Sequence, residues 1–196
     1  MESMIYEQQA HEQGFALVCG VDEAGAGPLM GPLYAAAVIL PEQFDLPGLN
    51  DSKKLTEKKR EALFPLIQQQ AVAWAVASVS AREIDETDIL SARMRAMQLA
   101  IDGLSVRPEL ALIDGNRDHG RTAAIVTPHR CIVDGDALSA SIAAASILAK
   151  VSRDRYVCDV LDKQYPEYQF ARHKGYGTTT RCWISTASAR STASAF

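Results

Sequence analysis

The segment Gly20 to Pro28, GVDEAGAGP, sets two adjacent carboxylates, Asp22 and Glu23, against a glycine-flanked turn at the end of an apolar run. Acids in that position are costly unless they are paired, hydrogen-bonded or coordinated to a cation. Neighbouring side chains on a strand point to opposite faces, so a bend at Ala24-Gly25 is needed to aim both at one target. Gly25 and Gly27 leave their backbone N–H groups unobstructed, which suits close approach of a phosphate. Acids for a cation beside amides for a phosphate point to phosphoryl chemistry; the plainer alternative is a β-turn carrying solvated acids.

The same logic recurs at Asp114-Gly115-Asn116, which follows the short apolar run Glu109 to Ile113, and again at Asp134-Gly135-Asp136. Asp22, Glu23, Asp114 and one acid of the last segment would form a carboxylate cluster fit for two hard divalent cations, Mg²⁺ or Mn²⁺, about 4 Å apart. Spacing alone does not choose between Asp134 and Asp136. Cationic side chains gather in three places: Lys53, Lys54, Lys58, Lys59 and Arg60; Lys150, Arg153 and Arg155; and Arg172, His173 and Lys174. Any one of these reads as a solvated helix face. Beside candidate metal carboxylates they read together as a phosphate-backbone track, although the net charge of −4 does not advertise a nucleic-acid binder.

The elements that must position these groups follow from the pattern. Phe15 to Val21 and Leu33 to Leu40 are apolar enough for strands buried on both faces. Thr56 has N-cap chemistry for a helix towards Gln70, which Pro65 is expected to kink or divide. Ala71 to Ser80 alternates as a strand does. Ile84 to Leu104 has helical spacing, with Ile89, Met94, Met97 and Ile101 near one face. Glu109 to Ile113, Ala123 to Val126 and Cys131 to Val133 are short strands. Leu138 to Leu161 is helical, and the small side chains of Ser141 to Ala149 suit close packing on a sheet. Strands mixed with helices in this order indicate an α/β sheet flanked by helices. The aromatic, basic and glycine-rich stretch Tyr165 to Thr180 starts a smaller carboxyl-terminal element, so a division into 1–164 and 165–196 is expected.

At 196 residues and 47% hydrophobic, the chain can bury one good core. No apolar run approaches the roughly 20 residues that span a bilayer, and the polar, acidic start MESMIYEQQAHEQ is unlike a secretory or transit signal. Cys19, Cys131, Cys158 and Cys182 are widely spaced and without a CxxC, as reduced thiols of a cytoplasmic protein would be.

GVDEAGAGP, DSKKLT at Asp51 to Thr56, LIDGN at Leu112 to Asn116, Gly135-Asp136, SIAAASILAKVSRD at Ser141 to Asp154 and HKGYGT at His173 to Thr178 resemble, in this order, bacterial ribonuclease HII. The resemblance implies a ribonuclease H-like fold: a mixed five-stranded sheet with helices on both sides and a small carboxyl-terminal helical part. It implies hydrolysis of RNA in RNA–DNA hybrids and nicking on the 5′ side of a ribonucleotide embedded in duplex DNA, by a monomer working without a membrane. The family's metal-binding acids map onto Asp22, Glu23, Asp114 and Asp136, Asp136 being preferred to Asp134 because the family's acid follows glycine. Gly25, Ala26, Gly27, Lys53 and Tyr176 map onto substrate contacts. Asp154 reads as a helix ion-pair partner, and His173, not needed as a base where metal-bound water attacks, as a packing or substrate-contact residue.

Two departures stand out. Ala26 takes the place of the family's usual arginine between the two glycines, which keeps the backbone N–H donors but removes a bidentate phosphate contact. Weakened affinity or weakened preference for the RNA–DNA junction is expected. The tail Arg181 to Phe196 lacks the family's ending, and codons compatible with CWISTASARSTASAF, read one base earlier, encode MLDKYGQREIHRQRF, which resembles it. The tail is therefore read as frameshifted. Two other functions remain open on residues alone: a hybrid-binding module with little turnover, and another phosphoryl-transfer enzyme such as a phosphatase or nucleotidase. The missing P-loop pattern counts against the latter.

Overall fold

The computed structural model describes residues 4–177. Its sheet is built from β1 (Val18–Ala24), β2 (Leu33–Ile39), β3 (Ala73–Val79), β4 (Leu110–Asp114) and β5 (His129–Ile132), in the spatial order β3-β2-β1-β4-β5. The β1–β2 and β2–β3 pairs are antiparallel, whereas β1–β4 and β4–β5 are parallel. The helices are α1 (Ile5–Glu12), α2 (Glu57–Gln70), α3 (Ala81–Glu86), α4 (Ile89–Asp102), α5 (Gly135–Leu138) and α6 (Ala140–Tyr156). A π-helical turn at Val157–Leu161, α7 (Asp162–Gln164), a 3₁₀ turn and α8 (Phe170–His173) follow.

Strand alternation sorts β1 onto two layers. Cys19 and Val21 join Met94, Met97 and Ile101 of α4 in one apolar cluster. Gly20 faces α6, and there a Cβ would lie 2.1 Å from the Ser141 carbonyl carbon, so only glycine lets the helix sit this close. Ala143 to Ala145 of α6 join Ala36 and Val38 of β2 and Leu63 and Ile67 of α2 in a second cluster. The expectation that small side chains at Ser141 to Ala149 serve close packing is met. A satellite cluster of Val157, Leu161 and Phe170, with Met30, Tyr165 and Tyr168 against it, anchors the last described helices.

Several local expectations are corrected. Asp22 and Glu23 lie inside β1 rather than beyond its end, since the strand starts at Val18 and runs to Ala24. Pro65 does not divide α2, which runs uninterrupted for 14 residues from its Thr56 cap. The helix expected over 84–104 is two helices: Ser80 and Glu83 form a capping box for α3, and the Asp88 carboxylate accepts from Ser91 N to start α4. Ile89 is consequently 43% exposed rather than facing the core. Ala123 to Val126 forms no strand, only an isolated bridge between Ala124 and His119, although Ile125 is buried. The stretch after β5 turns at Asp134, whose φ of 54° is left-handed, so Leu138 belongs to α5 and α6 starts at Ala140. The tail 181–196 and its frameshift reading lie outside the described residues, as does much of the expected 165–196 division.

Candidate active site

Asp22 projects from β1 to the α6 side of the sheet. The β1–β4 register pairs Val21 with Ile113, so the next residues, Asp22 and Asp114, emerge side by side at the carboxyl ends of two parallel strands. Asp136 comes from α5. Its position is set by Asp114 Oδ1, which accepts from Gly135 N at 2.8 Å and from Asp136 N at 3.4 Å. One carboxylate oxygen from each of Asp22, Asp114 and Asp136 lies within 4.8 Å of the others. Asp134 is exposed and outside this group, Asp136 is buried and within it.

Glu23 is placed differently. It lies on the α4 side of β1, where Arg93 Nε approaches its Oε1 to 2.8 Å. The bend expected to swing both acids onto one target is not what the strand does; alternation keeps them on opposite faces, Asp22 towards Ser146 of α6 and Glu23 towards Arg93 of α4. Burial, aided by the charges of Glu23 and Asp114, holds the Asp22 carboxyl well above the ordinary range. Burial also raises Glu23, an effect that Arg93 opposes. Asp136 is raised by burial and then by Asp114, against the pull of Lys53. Crowded oxygens that resist losing their protons are a donor set that a hard divalent cation would satisfy, so the residues fit Mg²⁺ or Mn²⁺.

Over this cluster lies the 51–55 turn. Lys53 Nζ reaches Asp136 Oδ2 at 3.3 Å while its side chain stays 77% exposed. Asp51, itself buried, accepts from Lys53 N at 2.8 Å, and Ser52 Oγ meets Ser146 Oγ of α6 at 2.6 Å. Arg60 of α2 donates to the Ser52 and Leu55 carbonyls at 2.9 and 2.6 Å and so fixes the turn.

Beside the acids, Gly25 has φ 112°, and Ala26 and Gly27 are exposed. A Cβ on Gly27 would sit 3.7 Å from Tyr176 Cε1, so this turn and the tyrosine line one edge together. Lys150 Nζ lies 5.2 Å from the centre of the Tyr176 ring. The same Lys150 pairs with Asp154 at 2.8 Å, which leaves Asp154 as a helix ion-pair partner outside the acidic group. His173 Nδ1 accepts from Gly175 N at 3.2 Å and its Nε2 faces Tyr168 O at 3.0 Å, a fully used imidazole that braces the segment leading to Tyr176.

The ribonuclease HII family model matches residues 19–191. The chain belongs to the ribonuclease HII family. Ribonuclease HII of Desulfitobacterium hafniense is 54% identical over 185 residues, covering 91% of this chain and 69% of the relative. Ribonuclease HII of Vibrio parahaemolyticus is 54% identical over 168 residues, covering 86% and 77%. Among such bacterial relatives the chain spans 64% to 79% of their length. A similar solved structure is the ribonuclease HII of Archaeoglobus fulgidus in complex with PCNA: TM-score 0.68, 25% identity, 91% of this chain and 90% of that one.

For a ribonuclease HII, an endoribonuclease, some supports of the site are silent in the sequence. Arg93 looks like any helix-surface arginine until α4 is laid beside Glu23. Arg153 reads as part of a basic cluster, yet it is fully buried and donates to the carbonyls of Pro32, Lys174 and Met30 at 3.1, 3.0 and 2.9 Å. It is a structural rivet, not part of a phosphate track. Asp51 has a usable signal in the sequence, as the acid that opens the DSKKLT block.

Proposed function

We propose that this member of the ribonuclease HII family cuts the RNA strand of RNA–DNA hybrids and nicks duplex DNA on the 5′ side of an embedded ribonucleotide. In this reading Asp22, Glu23, Asp114 and Asp136 hold two divalent cations, Mg²⁺ or Mn²⁺. The observation that carries it is the convergence of Asp22, Asp114 and Asp136 within 4.8 Å, from three separate elements, one of them the strand that runs directly into the glycine turn. Bound there, the two cations supply a water of lowered pKa and charge stabilisation of the departing 3′-oxygen, which leaves 3′-hydroxyl and 5′-phosphate ends.

The chain's own groups do the rest. Asp114 aligns α5 through its bonds to Gly135 N and Asp136 N, so two cluster acids are held by one network. The N–H groups around Gly25, Ala26 and Gly27 are offered to the phosphate, and the same turn is placed to sense the 2′-hydroxyl that distinguishes ribose from deoxyribose. Tyr176 packs against the adjoining sugar from across Gly27. Lys53 stands at the rim with a long exposed stem, able to leave Asp136 for a phosphate oxygen. No side chain is asked to act as nucleophile, and His173, both ring nitrogens engaged, is not used as a base.

The low-turnover hybrid-binding module remains the second reading, favoured by Ala26, which offers no guanidinium to the phosphate. A duplex carrying one ribonucleotide separates the two. Mg²⁺- or Mn²⁺-dependent nicking at the ribonucleotide, absent from an all-DNA control, supports the nuclease; binding without nicking supports the module.

A further inference from the structure

The four acids are not equivalent before a cation arrives. Asp22, Asp114 and Asp136 already offer converging oxygens. Glu23 is engaged on the other face of β1 by Arg93, and the two side chains are only 12% and 20% exposed. Arg93 is itself held: its Nη2 donates to the Asp114 carbonyl at 3.1 Å. Gly115, with φ 103°, makes room for it, since a Cβ there would stand 3.0 Å from Nη2. Glu23 Oε2 and Arg93 Nε are both buried without a hydrogen-bond partner, so the 2.8 Å contact is an ion pair held by charge and burial. Lys53 on Asp136 is a contrast, because an ion pair with a 77% exposed lysine is easily given up.

A first cation therefore meets three ready oxygens, whereas a second one that needs Glu23 must draw it from a largely desolvated guanidinium. Separating such a pair leaves an uncompensated charge. Resting on the two-cation reading above, we infer that Arg93 is a positioning residue that competes with the second divalent cation for Glu23, so that the two cations bind with unequal affinity. The competition is local. Arg93 touches no acid of the ready trio through its side-chain oxygens, only the backbone of Asp114.

The test is Mn²⁺ binding to the full chain, followed by titration calorimetry and by the electron spin resonance of free Mn²⁺. The parent is expected to take up one Mn²⁺ tightly and a second at least tenfold more weakly. In Arg93→Gln the weak constant tightens at least tenfold while the tight one moves less than threefold. Arg93→Lys, which keeps the charge but loses the fork that spans Glu23 and the Asp114 carbonyl, falls between them and serves if the glutamine variant folds poorly. Glu23→Gln abolishes the weak site and leaves the tight one. A weak constant unchanged in both Arg93 variants, or two constants that tighten equally, overturns the inference while leaving the metal site intact. A parent that binds no Mn²⁺ overturns both.

Discussion

Arg153 and Gly25 are fitted to one another: a Cβ on Gly25 would lie 2.6 Å from Arg153 Nε, and the glycine's φ of 112° is one that side chains rarely adopt. The buried guanidinium ties Met30 and Pro32, on the far side of the glycine turn, to Lys174, two residues before Tyr176. One side chain thus sets the spacing between the two parts of the proposed ribose-sensing edge.

Arg153→Met should leave three carbonyls without their donor, at about 1 to 3 kcal/mol for each that water does not reach. A loss of about 3 kcal/mol or more in urea unfolding is expected, with a higher KM for the ribonucleotide duplex. Gly25→Ala should raise KM as well, through strain at the turn. Parent-like stability of Arg153→Met would show that the three bonds do not hold the loop.

The raised carboxyl groups of Asp22, Glu23 and Asp136 make the metal-free protein sensitive to pH. Well below the ordinary carboxylate pKa of about 4 these acids are neutral in both folded and unfolded chains. As pH climbs from about 4 towards the raised native range, the unfolded chain gives up its protons while the native state retains them, so the cluster's contribution to stability falls. Metal-free protein should melt lower at pH 8 than at pH 5.5. A cation at 100 times its dissociation constant adds about 2.7 kcal/mol, roughly 5 to 11 °C for a chain of this size, and more of it at pH 8. Asp22→Asn should raise the melting point of the metal-free protein at pH 8 and shrink the response to Mn²⁺. Scanning fluorimetry with and without chelator checks both; a parent whose melting point ignores Mn²⁺ at pH 8 would contradict the account.

Ala26 is exposed beside Gly27, where a longer side chain has room. Ala26→Arg should restore a bidentate phosphate contact, and about 1.4 kcal/mol of it corresponds to a tenfold lower KM, with kcat little changed. Steady-state nicking at low salt measures this. Unchanged KM and unchanged junction preference would mean that the backbone N–H groups already saturate the phosphate.

Much of this was legible in the sequence for physical reasons. Val18 to Val21 and Leu33 to Ile39 are buried on both sheet faces, so their uninterrupted apolar character marked them as strands. Asp136 is preferred to Asp134 only through the family resemblance, and the fold supplies a physical reason for it: Asp134 occupies a left-handed turn residue while Gly135 packs where a Cβ would be 2.7 Å from Ile142 Cδ1. What stayed hidden depends on contacts between distant segments. Nothing local distinguishes Arg93 or Arg153 from solvated arginines. The opposite faces taken by Asp22 and Glu23 followed from strand alternation, but the apolar run's length placed the strand's end too early, so a bend was invoked where none was required. The break at Asp88 lies within a helical periodicity that runs on from Ile84 to Leu104 and hides it.

Asp114 stands or falls as part of a metal-dependent nuclease centre on a side-by-side cleavage comparison. Parent and Asp114→Asn are given the same duplex with a single ribonucleotide, in Mg²⁺ and in Mn²⁺, with all-DNA duplex as control. The parent should nick on the 5′ side of the ribonucleotide, leaving 3′-hydroxyl and 5′-phosphate ends, and Asp114→Asn should be slower by about a hundredfold or more, some 2.7 kcal/mol of lost transition-state stabilisation. An Asp114→Asn protein that cuts as fast as the parent would contradict the assignment.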